Sequence, residues 1–379
     1  MSILAASHDK FAQHQSQLAD QVRRGDAFVP RGHQTSQIGL ATGQDLKAPE
    51  GVWNFDAGAL TLTVSAGTSL ETIEQVLTQE RQCLAFDPPR MQGLLNRDGV
   101  QTIGGMVATN ASGPRRVAVG ACRDFCLGVG FIDGQGRVLK NGGRVMKNVT
   151  GLDLVKLMAG AHGTLGLITE VSLKTQPIQE ATATLIFEGL SDVDAVTAMS
   201  AALGTPYSVT GAAHLPEDGA GNPARTVIRL EGFERSVRYR AAALQNALAQ
   251  FGDSEVMWDA DDTAVLWASI RDVEPFHDLI GDVWRVSVKP SDAPSLVAAV
   301  QPEDVIYDWG GGRLWVRVKP DTDVRAHMGA GHATLVRASD ATKLRLGVFH
   351  PEHVLVAKIS AGLRAKFDPM QKFNRGMMS

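Results

Sequence analysis

Apolar and polar positions first alternate clearly at Leu60, Leu62 and Val64, set between Thr61, Thr63 and Ser65, which predicts a half-buried strand. The Thr68-x-x-Glu71 spacing then predicts a capping box that opens a helix with Leu70, Ile73, Val76 and Leu77 on one face. Phe125, Leu127, Val129 and Phe131 alternate again, and the DGQG at 133–136 predicts a turn into a second strand. Leu154, Leu157 and Met158 predict a short helix closed by Gly160. A strand follows over 165–174, and Pro177 is the expected boundary of this first unit.

Past Pro177 the pattern predicts strand 183–190, helix 191–203, strands near 208–215 and 225–233, and helix 234–251. A second set follows: strand 283–289, helix 292–300, strands 303–309 and 313–319, a short helix near 321–329, and strand 332–338. Each set follows the β-α-β-β-α-β order of a ferredoxin-like unit, the first less completely. Two such units joined in one antiparallel sheet, with helices on one side, would make a cap or substrate domain. The expected division is 1–177, 178–345 and a C-terminal segment 346–379 that returns to the first domain.

Composition narrows the class. With 379 residues, 44% hydrophobic and 21% charged, the chain suits two globular domains. A formal net charge of −4 gives no reason to expect a nucleic-acid partner. No apolar run approaches the ~20 residues of a membrane span, and the N-terminus is too short and polar for a signal peptide. Cys83, Cys122 and Cys126 are the only cysteines, too few for a four-thiolate cluster and without a Cys-x-x-Cys pair. Buried free thiols in a reducing, cytoplasmic compartment are expected.

Candidate chemistry gathers at 102–124, TIGGMVATNASGPRRVAVGACRD. Ile103, Gly104, Gly105 and Met106 have the character of a phosphate-holding turn, while Ala108, Ala111, Ser112 and Gly113 keep the next backbone uncovered. Thr102, Thr109, Asn110 and Ser112 add hydrogen-bonding groups. A glycine turn beside a buried helix would look the same from this pair alone. The Rossmann spacing is missing: Gly128-Val129-Gly130 lies inside an apolar alternating run, and Gly310-Gly311-Gly312 falls between two strands as a hairpin turn. An NAD-dependent reading loses its main support.

The stretches AGTSLETIEQVL, LAFDPP, TIGGMVATNASGPRR, GACRDFCLGV, GGRVMKNVTGLDLVKLMAGAHGTLGLITEVSLKTQP, YDWGGGRLWV, GHATLVRAS and KFDPMQKFNRGMM occur in this order along the chain. Together they resemble the FAD-binding subunit of bacterial glycolate oxidases, in the vanillyl-alcohol-oxidase superfamily. The resemblance implies an α+β protein: a PCMH-type two-lobed FAD-binding domain, then a ferredoxin-like antiparallel α+β cap. It implies that the pyrophosphate lies between an early loop carrying Arg31, Gly32, His33, Gln34, Thr35 and Ser36 and the 102–113 segment. It implies that Gly163, Gly166 and Ile168 approach the adenine side. Pro88, Arg123 and Asp124 fall in matched stretches and complete the expected cofactor contacts.

Two departures stand out: His33 and Gln34 occupy positions where consecutive glycines are usual, and FNRG replaces FNPG near the end. His33 lies two residues before the position of a flavin-linking histidine, so non-covalent FAD is expected. Oxidising a 2-hydroxy acid needs a carboxylate anchor, a base and the flavin. Arg115, Arg116 and Arg123 are candidate anchors, with pairing to acidic neighbours as the plain alternative. His162 is the candidate histidine. The GDGNxH-type segment that helps bind a metal in related dehydrogenases is missing, and no metal is expected.

The implied partners are a second flavoprotein subunit and an iron–sulfur subunit, with any membrane association peripheral, on the inner face, through the complex. Three readings stay open at this point. The chain is the FAD-carrying subunit of a glycolate-oxidising complex, a self-sufficient FAD-dependent 2-hydroxy-acid dehydrogenase, or a structural subunit with a degraded cofactor site.

Overall fold

The computed structural model describes residues 2–32, 35, 37–144, 151–219 and 221–378. His33, Gln34 and Ser36 of the expected phosphate loop lie outside the described residues.

A 23-residue helix, Ser2–Arg24, opens the chain, an element not foreseen from the pattern. Its Leu18, Ala19 and Val22 pack with Phe28, Leu46, Ile132, Leu167 and Phe373, and a short parallel pair, Phe28–Pro30 with Gln44–Leu46, lies within this small lobe. The larger lobe is a five-stranded antiparallel sheet, in the order Val52–Asp56, Thr61–Ser65, Leu167–Lys174, Cys126–Ile132, Val138–Gly142.

The strand Thr61–Ser65 is buried along its whole length rather than half-buried. Its polar side chains are paired instead of solvated: Thr63 Oγ1 and Ser172 Oγ are 2.9 Å apart, and Ser65 Oγ accepts from Trp53 Nε1 at 3.0 Å. The first helix covers that face, where Gln15 Nε2 donates to Thr169 Oγ1 and Phe11 packs on Trp53. The following helix, Leu70–Gln79, is capped by Ser69, whose hydroxyl accepts from Thr72 N at 3.0 Å. Thr68, the expected cap, instead ties down Gly51. Cys122 and Cys126 are buried free thiols; Cys83 is free and partly buried.

The second half is one eight-stranded antiparallel sheet. The first half is a complete β-α-β-β-α-β unit, closed by the strand Glu255–Met257, while in the second a short 3-10 helix, Val324–His327, stands in the place of the second α-helix. The two units meet where Val209–Leu215 pairs Asp304–Asp308, with His214 opposite Tyr307. Helices Asp192–Leu203, Glu234–Leu248 and Ala293–Val300 cover one face with a large apolar core. The other face is not bare, as expected, but carries the unforeseen helix Ala260–Asp272, whose Trp267 and Ile270 join Val283, Trp315 and Ile38. Ile38 belongs to the first domain, so this face is the junction between domains. The Gly310–Gly312 stretch is the hairpin turn between Asp304–Asp308 and Arg313–Val318. At the C-terminus Phe373 bridges to Phe28 and packs on its ring, 6.3 Å between centroids.

Candidate functional site

A cleft of about 840 Å³, counted to its open mouth, lies between the small lobe and the five-stranded sheet. Of the residues singled out in the sequence, Arg31, Gly32, Thr35, Thr102, Gly104, Gly105, Ala108, Thr109, His162, Gly163, Gly166 and Ile168 line it together. Gln37, Ile38, Ala48, Ala66, Asn374 and Met377 also line it and were not foreseen.

The wall is uncovered backbone, for reasons that differ between neighbouring glycines. The helix Ile103–Thr109 is capped by Thr102. The N–H groups of Ile103 and Gly104 donate to the carbonyls of Thr68 and Ala66, so they are committed inside the protein. A Cβ on Gly104 would sit 2.7 Å from the Ala66 carbonyl oxygen: this glycine lets helix and strand touch. A Cβ on Gly105 would meet only Thr102 Oγ1, at 3.5 Å, so its open side is the cleft. Glycine here serves close packing and a bare wall more than a ring of free N–H donors.

Polar groups are left for a ligand. Among the described residues, buried Arg31 Nε and Asn374 Oδ1 have no hydrogen-bond partner, and both residues line the cleft. Arg31 keeps an ion pair to Asp45 at 3.2 Å, while Asn374 Nδ2 donates to the His162 carbonyl at 2.7 Å. A cationic guanidinium, an amide oxygen and a small-residue wall suit a long, part-anionic, part-aromatic cofactor such as FAD.

His162 sits at the cleft edge in the left-handed region, φ 49°. Its ring meets Phe349 edge-on, 4.9 Å between centroids. Burial, with Arg285 adding repulsion, pushes its pKa down to about 4, so it is neutral at pH 7. Arg285, in the strand Asp282–Ser287, was not foreseen; a charged residue inside an apolar strand run is the signal that could have flagged it.

Other expected residues lie elsewhere. Ile103 is fully buried in the core, and Pro88 is buried outside the cleft lining. The Ser112 carbonyl accepts from Arg313 Nη1 at 2.7 Å and that of Gly113 from Trp309 Nε1 at 3.0 Å, so these two residues dock the cap. Arg123 N donates to Asn110 Oδ1, and Asp124 Oδ2 accepts from Ala121 N.

Arg115 is not free to anchor a substrate. Its Nε and Nη2 donate to both Glu231 oxygens, at 3.0 and 2.6 Å. Arg229 adds contacts to Glu231 and Asp87, and Arg271 pairs with Asp272 at 2.7 Å. Burial pushes the Asp87 and Glu231 carboxyls up, but Arg229 and Arg115 outweigh it and hold both below the usual range. Arg116 differs: it stacks on Trp309, 4.5 Å from the ring centroid.

The fold and cleft define a two-lobed FAD-binding protein with an α+β cap. Residues 11–142 match the FAD binding domain family. Alkyldihydroxyacetonephosphate synthase superposes with a TM-score of 0.70 over 95% of this chain and 73% of that one, at 15% identity, a likeness of fold. The chain belongs to the family of glycolate oxidase subunit GlcE: it is 35% identical to the Escherichia coli (strain K12) protein over 343 residues, 89% of this chain and 87% of that one. It is also 31% identical to the glycolate oxidase subunit GlcD of Bacillus subtilis over 167 residues, 42% of this chain. With the D-lactate dehydrogenase of Anaerostipes hadrus the identity is 33% over 143 residues, 37% of this chain. The chain spans 34% and 28% of those two proteins, so the GlcE likeness carries the family assignment.

Proposed function

We propose that this chain holds FAD non-covalently in the cleft and serves as the FAD-binding subunit of a multi-subunit assembly that oxidises a small 2-hydroxy acid, glycolate first among them. The single observation that carries the reading is the glycine-walled cleft of a family-matched FAD domain, lined by Arg31 and Asn374, whose buried Nε and Oδ1 have no hydrogen-bond partner. FAD, when bound, supplies the acceptor for the hydride and the route for its electrons.

The residues divide the remaining work. Arg31 offers a guanidinium to the pyrophosphate, Gly105 leaves room for the cofactor, Gly163 lets Asn374 and Pro30 pack close beside it, and Thr109 and Thr35 offer hydroxyls. Ile168 and Met377 provide apolar walls that exclude water. His162, neutral at pH 7, can accept a hydrogen bond or a proton from a substrate hydroxyl at the cleft edge.

A place in a larger assembly is supported by the helix Val354–Phe367. None of its residues is buried, and Val354, Leu355 and Ile359 are 78, 66 and 65% exposed. Such a surface suits a protein partner, and a second flavoprotein subunit and an iron–sulfur subunit are the proposed ones.

The test is to purify the chain alone and with its co-expressed partners, precipitate it with acid and measure FAD in the supernatant. About one FAD per chain, released by acid, supports the reading; flavin that stays with the pellet, or no flavin in either preparation, sinks it. Anaerobic glycolate separates the subunit from a self-sufficient enzyme. The subunit reading predicts that the flavin bleaches only when partners are present.

A further inference from the structure

Arg285 projects from a central cap strand onto the face that meets the FAD domain. It stands directly opposite Trp315 and Thr334 in the neighbouring strands, so these side chains share that face. Trp315 lies in the junction cluster with Ile38, against which Phe349 packs; Ile38 lines the cleft and Phe349 touches His162. The Arg285 guanidinium is therefore set at the cap side of the cleft edge.

It makes no hydrogen bond and no ion pair among the described residues. The charges that act on it belong to Arg313 and Arg116, both cations. Two further donors beside it are buried and unpartnered: Trp315 Nε1, in a residue 2% exposed, and Arg313 Nε, in a residue 3% exposed. Arg313 otherwise pairs with Asp308 and holds the Ser112 carbonyl, which leaves its Nε the spare group. Of these groups only Arg313 is paired with a carboxylate, Asp308; Arg313 and Arg116 stack on Trp309, 4.1 and 4.5 Å from the ring centroid, and Asp124 acts on Arg116 while accepting from the Ala121 N–H.

Buried donors and unpaired positive charge are costly unless an anion completes them. A planar guanidinium suits a carboxylate, which can accept two parallel hydrogen bonds from it. We infer that Arg285, with Trp315 Nε1 and Arg313 Nε beside it and Arg116 supplying field, forms an anion site that anchors the carboxylate of a short 2-hydroxy or 2-oxo acid at the mouth of the cleft. This rests on the proposed oxidation of a 2-hydroxy acid and adds the residues that hold the acid.

Calorimetric titration with oxalate, a short dicarboxylate that carries no oxidisable hydroxyl, tests the site on the full chain. Wild type, Arg285→Gln and Arg285→Lys are compared, with FAD content and Tm measured on each. Loss of the anchor should weaken oxalate by roughly 30-fold or more. Lys, a point charge without the fork, should restore only part of it. Because Arg285 is repelled in the ligand-free protein, Arg285→Gln should not lower Tm, which separates an anion anchor from a structural cation. Folded, FAD-loaded Arg285→Gln that binds oxalate as tightly as wild type would overturn the anchor and leave the cofactor reading standing. FAD-free protein that still binds oxalate through Arg285 would keep the anchor and sink the cofactor reading. Wild type that does not bind oxalate at all overturns the anchor.

Discussion

Two arginine clusters sit at the same junction between the FAD domain and the cap, and they are built to opposite ends. In one, Arg115, Arg229 and Arg271 face Glu231, Asp87 and Asp272, three cations against three carboxylates, with forked pairs at Arg115–Glu231 and Arg271–Asp272. In the other, only Arg313 pairs with a carboxylate, Asp308; Arg313 and Arg116 stack on Trp309, Arg285 has no ion pair among the described residues, and buried donors are left spare. The first closes on itself and clamps the domains. The second is complete only with something negative in it. Residue type and burial are similar in the two, so the count of partners is what separates a structural group from a binding one.

The largest expected effect comes from breaking the balanced cluster. Glu231→Gln would leave Arg115 and Arg229 short of a charge partner in a buried site, at a cost of about 3–5 kcal/mol. Urea unfolding at pH 7 measures it. The carboxyl pKa values of Asp87 and Glu231 are depressed in the folded protein. Their contribution is therefore present above the ordinary carboxylate range and lost as pH falls through the depressed values. A wild-type stability that does not fall there would contradict the balance.

Next in size is the pH response of His162, at the edge of the second cluster. Its folded pKa, about 4, lies below the unfolded value near 6.5. Between those values the unfolded chain binds the extra proton, so stability rises with pH across this window and is lost as pH falls through it. The contribution is on the order of 2–3 kcal/mol after discounting for partial exposure. His162→Asn should remove that slope, as read from urea midpoints at pH 4.5 and 7. An unchanged slope would place the charge-sensitive group elsewhere.

The smallest effect sharpens the contrast most. Arg285→Gln in the ligand-free protein should leave unfolding free energy within about 1 kcal/mol of wild type, or raise it, because it removes like-charge repulsion. The same exchange at Arg115 should lower it by several times as much. Equal losses at both positions would mean that the two clusters are alike.

Much of this was legible in the sequence, and the part that was not has physical causes. Strand alternation found most of the sheet strands to within a few residues but missed the edge strands Val52–Asp56 and Glu255–Met257, and the glycine segment pointed to the cleft wall. Burial of Thr61, Thr63 and Ser65 was hidden because it depends on the first helix, distant in the chain. The packing role of Gly104 was not legible, because a glycine that admits a neighbouring segment and one that bares a cleft read the same. Arg115 and Arg116 are adjacent in sequence, yet one closes on Glu231, 116 positions on, and the other stacks on Trp309. Arg285 drew no attention, since its significance lies in the absence of partners, which only the fold can show.

The central claim is that the cleft beside Gly105 holds FAD, and the most direct measurement is FAD retention in Gly105→Leu. The exchange adds a side chain where only Thr102 Oγ1 is near and replaces a helical glycine, which should keep or raise Tm. If the cleft is the FAD site, the folded variant loses FAD affinity by about 100-fold or more, as expected when a branched side chain occupies the cofactor's space. A folded Gly105→Leu protein that retains one FAD per chain at wild-type affinity would contradict it.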